Sequence, residues 1–417
     1  MAAALRPGER LPTVRALAVT LKLSPATVAA AFAMLRARGL VAGDGRRGTT
    51  VSFMPPVAGR AAPAVPASVH NLAFGNPDPA LLPDVAAAVA GVKLVRRLYG
   101  APANKPELLR AASRMFEANG IPAHDIAVVS GAFDGIERIF AAHLRPGDRV
   151  AVEDPGYPDV FALARALGLV VRPVGVDDRG MVAADLARVL KAGVQAIVVT
   201  PRAQNPTGAT FDADRASELR ALIKSYPEVL TIHDDHAGPI AGAEAFTLAH
   251  EKHSRWAVVR SVSKFLGPDL RLAVIAGDAL TISRVTGRQR LGAGWVSHIL
   301  QQVVAELLED EATLELVERA RGEYATRRAA LIEALARHGI SARGRSGLNV
   351  WIPVAEESAT VQALMATGWA VAAGERFRLE SGPAVRVTIA ALRRDMAAEF
   401  AAALAGALDS DGRGRAA

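Results

Sequence analysis

From residue 126 to residue 276, short apolar runs rich in valine and isoleucine alternate with stretches of helical periodicity. The runs cover 126–130, 149–153, 170–176, 196–200, 230–233, 257–261 and 272–276. Strands alternating with helices call for an α/β fold, a mostly parallel seven-stranded sheet covered by helices. Such sheets bind ligands beyond the carboxyl ends of their strands, where loops leave the core. Chemically capable residues are therefore sought first at those ends, and they collect there.

The sixth run leads into Ser261-Val262-Ser263-Lys264 and on through Gly267-Pro268 to Arg271. A lysine at a strand end can condense with an aldehyde if part of its amine is unprotonated. Arg271 offers a planar fork suited to a phosphate. The first run ends in Ser130-Gly131-Ala132-Phe133, a small-residue turn opening a helix, whose free N–H groups and dipole favour an anion. After the second run comes Glu153-Asp154-Pro155-Gly156-Tyr157, where Tyr157 can lay its ring on a flat cofactor. The fourth run gives Gln204-Asn205-Pro206-Thr207-Gly208. Proline holds Asn205 extended, so its amide points steadily at one ligand oxygen. The fifth ends in His233-Asp234-Asp235-His236, and a carboxylate there can keep a ring nitrogen protonated. Taken singly, each string also reads as an ordinary turn, cap or packing segment. Their shared placement separates the two readings.

Charge marks off a second unit. The 417-residue chain carries a net charge of +7, and eight basic against two acidic residues before position 54 account for six of it. Such asymmetry points to a segment that meets a polyanion. A short helix is expected after Pro12-Thr13, with Val14, Leu17, Ala18 and Leu21 on one stripe. A break follows, and Ser24-Pro25 supplies an N-cap and a first-turn proline for a second helix. That helix carries Val28, Phe32 and Leu35 inward and ends at Gly39. Residues 40–51 then read as a small hairpin with Arg46 and Arg47 near its tip. Two short helices and a basic wing make a winged helix-turn-helix. Residues 54–69 are rich in proline and alanine and read as a linker. Residues 409–417 are polar, and disorder is expected there.

Composition removes several alternatives. Cysteine is absent, which excludes disulfides and thiolate chemistry and suits a reducing cytoplasm. No apolar run reaches membrane-spanning length, and the start lacks the apolar core of a signal peptide. Apart from His233 and His236, the histidines show no metal-ligand spacing, and no metal site is expected.

Two resemblances carry these readings further. Arg6-Pro7-Gly8-Glu9-Arg10-Leu11-Pro12-Thr13-x-Arg15-x-Leu17-Ala18, with Leu23-Ser24-x-x-Thr27-Val28 and Gly48-Thr49-x-Val51, closely resembles the GntR-type DNA-binding domain. It implies DNA contacts at Arg15, Ser24, Thr27, Arg46, Arg47 and Gly48, in a domain over residues 1–53 that looks truncated by its first helix. A degenerate domain kept for packing or dimerisation is the other reading. The strand-end residues together resemble fold-type I enzymes dependent on pyridoxal 5'-phosphate (PLP), of the aspartate aminotransferase kind, over residues 70–408. That implies a large domain at about 100–300 and a smaller α/β domain at about 70–99 and 301–408.

By that resemblance Lys264 would carry the cofactor as an internal aldimine, and Asp234 would pair with its ring nitrogen. Asn205 would bond the ring hydroxyl and Tyr157 would stack on the ring. Ser130, Gly131, Ala132, Phe133, Ser261, Ser263 and Arg271 would surround the phosphate. Tyr99 would reach the phosphate of a neighbouring subunit, which implies a homodimer. Arg386 would grip a substrate carboxylate, with Gly75 beside it. His236 stands where relatives carry a tyrosine near the ring hydroxyl. A GntR-type reader joined to an aminotransferase-like domain resembles the MocR-type regulators. The resemblance implies a cytoplasmic, PLP-dependent transcriptional regulator that binds DNA and senses PLP or a small amino compound. A catalytic aminotransferase with a vestigial DNA-binding head is the alternative.

Overall fold

The computed structural model describes residues 8–37, 40–42, 48–51, 65–93, 95–249 and 255–413. Near the N-terminus, α1 (Val14–Leu21) and α2 (Pro25–Ala37) form as expected. Thr13 caps α1 by accepting from the Ala16 N–H, and Ser24 caps α2 by accepting from the Thr27 N–H at 3.1 Å. A cap of this kind contributes about 1 kcal/mol. The chain turns through 118° between the helices, within the range of a helix-turn-helix. Ala18, Val28 and Phe32 close the small core, with Leu11, Val14 and Leu17 against it. Val41–Ala42 then pairs antiparallel with Thr50–Val51, as a wing requires. The expected cap Gly39, and Arg46 and Arg47 at the wing tip, lie outside the described residues, as do 54–64 of the linker.

The large sheet contains the seven expected strands. They are β1 (Ile126–Val129), β2 (Arg149–Asp154), β3 (Val170–Asp177), β5 (Ala196–Val199), β6 (Leu230–Asp235), β7 (Trp256–Ser261) and β8 (Ala273–Gly277). An eighth, β4 (Gly180–Met181), is a two-residue edge strand that turns back on β3. The order is β1-β8-β7-β6-β5-β2-β3-β4. From β7 to β3 every pairing is parallel, whereas β8 runs against both of its neighbours. Alternate residues of each strand feed different cores. Ala127, Val129, Val152, Ile232 and Val259 pack on one side, and Val128, Val258 and Val274 on the other. Helix α3 (Ala132–His143) covers the first side with Ile136, Ile139 and Phe140, all fully buried. Each such side chain stabilises the fold by roughly 1.5–3 kcal/mol.

A smaller sheet of order β9-β11-β10 joins β9 (Asn349–Pro353), β10 (Ala372–Ala373) and β11 (Ala384–Thr388). His70–Asn71 pairs in parallel with Trp369–Ala370, and the Thr388 N–H donates to the Leu72 carbonyl at 2.9 Å. The chain entering at residue 70 is thereby tied to the end of β11, which delivers residues 73–76 to the large sheet. The last helix runs from Ala397 to Arg413. It takes in 409–413, which the polar composition had set aside as disordered. The helical backbone extends through those residues. Among the described residues no single helix is long and apolar enough to cross a membrane.

Candidate functional site

A cavity of about 450 Å³ opens beyond the strand ends. It brings together Gly75, Ala132, Phe133, Tyr157, Asn205, Asp234, His236, Ser261, Ser263, Lys264, Arg271 and Arg386. Ser130 and Gly131 are not among the lining residues; Ser130 is exposed, and its N–H donates to the Asp134 carboxylate at 2.9 Å. Tyr99 is absent from the lining. Its side chain is 93% exposed and meets Trp295 edge-on, ring centroids 5.7 Å apart.

Lys264 leaves the end of β7 through a turn braced by Ser261, whose hydroxyl lies 3.1 Å from that of Ser263 and also accepts from the Ser263 N–H. The ammonium donates to the Gly75 carbonyl. Burial, followed by the charge of Arg386, lowers its pKa to about 8. A useful share of the amine is therefore neutral near pH 7, as nucleophilic attack on a carbonyl requires.

The paired aspartates at the end of β6 part company because successive side chains of a strand face opposite ways. Asp235 turns to a buried ion triad. Arg202 grips it through two contacts of 2.9 Å, and Arg260 adds one of 2.7 Å. Asn119 accepts from both arginines. Asp234 turns to the cavity, and among the described residues its buried Oδ1 has no hydrogen-bond partner. Burial, then the charge of Asp235, raises its pKa to about 7.

A carboxylate oxygen held dry and unanswered is costly unless a ligand donates to it. Its folded-state pKa lies above its unfolded value, so between about pH 4 and 7 the native state binds the extra proton. Stability contributed by this group then falls as pH rises through that window. Asp234→Asn is expected to flatten this slope in the cofactor-free protein. At pH 8 the variant should gain on the order of 1–3 kcal/mol, read by urea unfolding at several pH values, while its affinity for PLP drops. An unchanged pH slope would show that Asp234 is solvated.

The anion end is built by close approach. Gly131 sits at φ +99°, and a Cβ there would come within 2.8 Å of Arg271 Nη2. Only glycine leaves that space open. Gly131 also opens α3 without any side-chain cap, so the first-turn N–H groups remain available to an anion. Arg271 itself holds a left-handed backbone at φ 43°.

On the ring side, Tyr157 and Phe133 pack with centroids 5.4 Å apart. Burial, then Asp159, pushes the Tyr157 hydroxyl up to about 12, so it stays protonated. His236 is lowered to about 4 by burial and by Lys264, which leaves a neutral imidazole. Arg386, on β11, donates to Asn205 Oδ1 at 3.1 Å and to the Ala73 carbonyl, and among the described residues its buried Nε has no partner. Its guanidinium lies 4.6 Å from the Phe377 ring centroid.

Several contributors were not anticipated. Gln204 donates to Glu153 and to the Pro155 carbonyl, and accepts from the Thr207 N–H and hydroxyl. This bracing fixes the loop that carries Asn205. Burial raises Glu153 to about 8 even though the Thr200 N–H and Gln204 donate to it, so it is mainly a neutral acid at pH 7. Both residues stood inside strand-end strings that had been read for their neighbours. Arg376 and Phe377 also line the cavity, and no motif marked them.

In the N-terminal domain, Arg15, Ser24 and Thr27 are all exposed. The Ser24 and Thr27 hydroxyls lie 2.8 Å apart. Gly48, at φ +83°, leaves room for Arg10, whose Nε would lie 2.9 Å from a Cβ there.

An amine at lowered pKa, an unanswered carboxylate oxygen, an aromatic wall and a glycine-backed arginine suit PLP at its aldehyde, ring nitrogen, ring face and phosphate respectively. Comparison with known proteins agrees. Residues 67–404 match the family model for aminotransferase class I and II, and residues 1–51 match that for bacterial regulatory proteins of the gntR family. The vitamin B6 salvage pathway transcriptional repressor PtsJ of Salmonella typhimurium is 40% identical over 94% of this chain and 92% of its own. The pyridoxine biosynthesis transcriptional regulator PdxR of Corynebacterium glutamicum is 28% identical over 79% of this chain and 75% of its own. A kynurenine aminotransferase of Pyrococcus horikoshii shares the fold, with a TM-score of 0.75 at 21% identity over 83% of this chain and 92% of that one. The chain therefore belongs to the MocR-type regulators, in which a GntR-type DNA-binding domain is joined to a PLP-binding domain of the class I and II aminotransferase family.

Proposed function

We propose that this regulator reads PLP, or an amino compound that meets PLP, in the cavity around Lys264, and that occupancy changes its grip on DNA. The observation that carries the reading is that Asp234, whose buried Oδ1 has no hydrogen-bond partner among the described residues, lines the same cavity as Lys264. When bound, PLP supplies an aldehyde that captures primary amines and a ring that draws electron density. In this reading Lys264 would offer its amine to the aldehyde, and the Asp234 carboxyl would hold the ring nitrogen. Arg271 and the opening turn of α3 would hold the phosphate. Asn205, braced by Gln204 and in contact with Arg386, would hold the ring hydroxyl. The relative's printed role supports a vitamin B6 salvage operon as target and repression as the sign of control.

The same reading includes a homodimer in the cytoplasm, where a reader of DNA works. Tyr99, Leu98 and Val95 are strongly exposed, and that apolar surface supports a second copy seated there. Arg15, Ser24, Thr27 and the wing would meet the DNA backbone and groove. The full-length protein on a labelled fragment of its own upstream DNA, followed by fluorescence anisotropy, tests the proposal. Added PLP should change Kd at least about tenfold, and affinity should fall linearly on a log–log salt plot. No specific retention with or without PLP would refute it. A second reading, catalytic transamination, draws support from the contact between Asn205 and Arg386. Steady turnover of an amino acid with a 2-oxo acid would move it ahead.

A further inference from the structure

The cavity holds more positive charge than the cofactor alone would answer. Lys264, Arg271, Arg376 and Arg386 all line it, against Asp234 as the single acidic lining residue. Lys264 and Arg271 are taken up by the aldehyde and phosphate ends. Two guanidiniums remain, and among the described residues neither has a carboxylate within ion-pair distance.

The turn that carries one of them is closely packed. Arg376 belongs to a tight turn, Gly374–Phe377. A Cβ on Gly374 would meet the Ala384 carbonyl oxygen at 2.4 Å, and the Glu375 N–H donates to Glu357 at 2.6 Å. Phe377 is buried against both cations, with Arg386 Cζ 4.6 Å and Arg376 Cζ 5.7 Å from its ring centroid. The two guanidinium carbons therefore lie no more than about 10 Å apart. Burial is the main reason that Arg386 falls to about 10, and the Arg376 charge pushes the same way. Arg386 is buried, whereas Arg376 is exposed. A cleft walled by one sign of charge concentrates ligands of the other, and each planar fork suits one carboxylate.

We infer that Arg376 determines ligand specificity, and that the amino compound admitted here is a small primary amine bearing two acid groups, an amino dicarboxylate. Its inner acid group meets Arg386 and its outer one meets Arg376. The inference rests on the sensor reading above and deepens it.

The test titrates the PLP-loaded full-length protein with L-glutamate, L-aspartate, L-glutamine and L-alanine, following the visible cofactor band. It compares the chain with Arg376→Gln, and each protein supplies its own ratio of half-saturating concentrations. Glutamate should act at a concentration at least about tenfold below that of glutamine, and the ratio should fall close to one in Arg376→Gln. An undiminished ratio in the variant overturns the inference. So does a PLP-loaded protein that fails to discriminate, or that no amine perturbs, while cofactor binding stands. A chain that takes up no PLP at all removes the sensor reading together with the inference.

Discussion

Lys264→Ala is expected to erase the visible absorbance that PLP acquires on this protein and to lower PLP affinity at least about 100-fold, on the order of 3 kcal/mol. The amine is the one primary amine among the cavity-lining side chains, and its pKa of about 8 follows from burial and from Arg386. Alanine keeps the phosphate and ring contacts, so residual binding should persist without the lysine-dependent band. The response of DNA affinity to PLP should shrink in parallel, while binding in the absence of PLP stays near that of the parent chain. Absorbance titration beside anisotropy separates the two effects. A band of the same position and strength in the variant would move the covalent link to another amine.

Asp235→Ala should cause the largest loss of stability, roughly 3–5 kcal/mol. The carboxylate is 4% exposed, and its two partners, Arg202 and Arg260, are 6% and 1% exposed. Removing it leaves two buried cations facing one another with Asn119 as their shared acceptor. The guanidiniums hold the Asp235 carboxyl far below the usual carboxylate range, against the opposing effect of burial. The stability it contributes is present above its unfolded pKa and is lost only as pH falls through the much lower folded value. The wild-type chain should therefore show no dependence on this group between pH 5 and 8. Urea midpoints of the variant and of Asp235→Asn check the claim, and a loss below about 1 kcal/mol would show that water reaches the triad.

Much of this architecture is written locally. Seven apolar runs punctuated by glycine, proline and small polar residues mark the strands, and the loops that follow carry most of the cavity. What is not local was not legible. The two-residue strand Gly180–Met181 has no period to detect. The pairing of His70–Asn71 with Trp369–Ala370 depends on packing between distant segments. In the Asp234-Asp235 pair, alternation says that the two face opposite ways, but only the sheet shows which face borders the cavity. Arg376 belongs to no motif, and its role comes from the tight packing around Gly374 and from Phe377. Tyr99 matched its motif yet stands on the surface of this chain, as a residue directed at a second copy would.

The reversal of direction between β7 and β8 has a mechanical consequence. One closed loop between two hydrogen-bonded strands carries both Lys264 and Arg271, so the spacing between the two proposed grips on the cofactor is set like the jaws of a fixed spanner. Arg386 and Gly75 ride instead on the smaller sheet and on the segment tied to it. A rotation of that smaller unit would keep the spacing of the jaws, but it would part the Gly75 carbonyl from the Lys264 amine as it opened or closed the ligand side. In such a device the cofactor would be a resident part and the amino compound the lever.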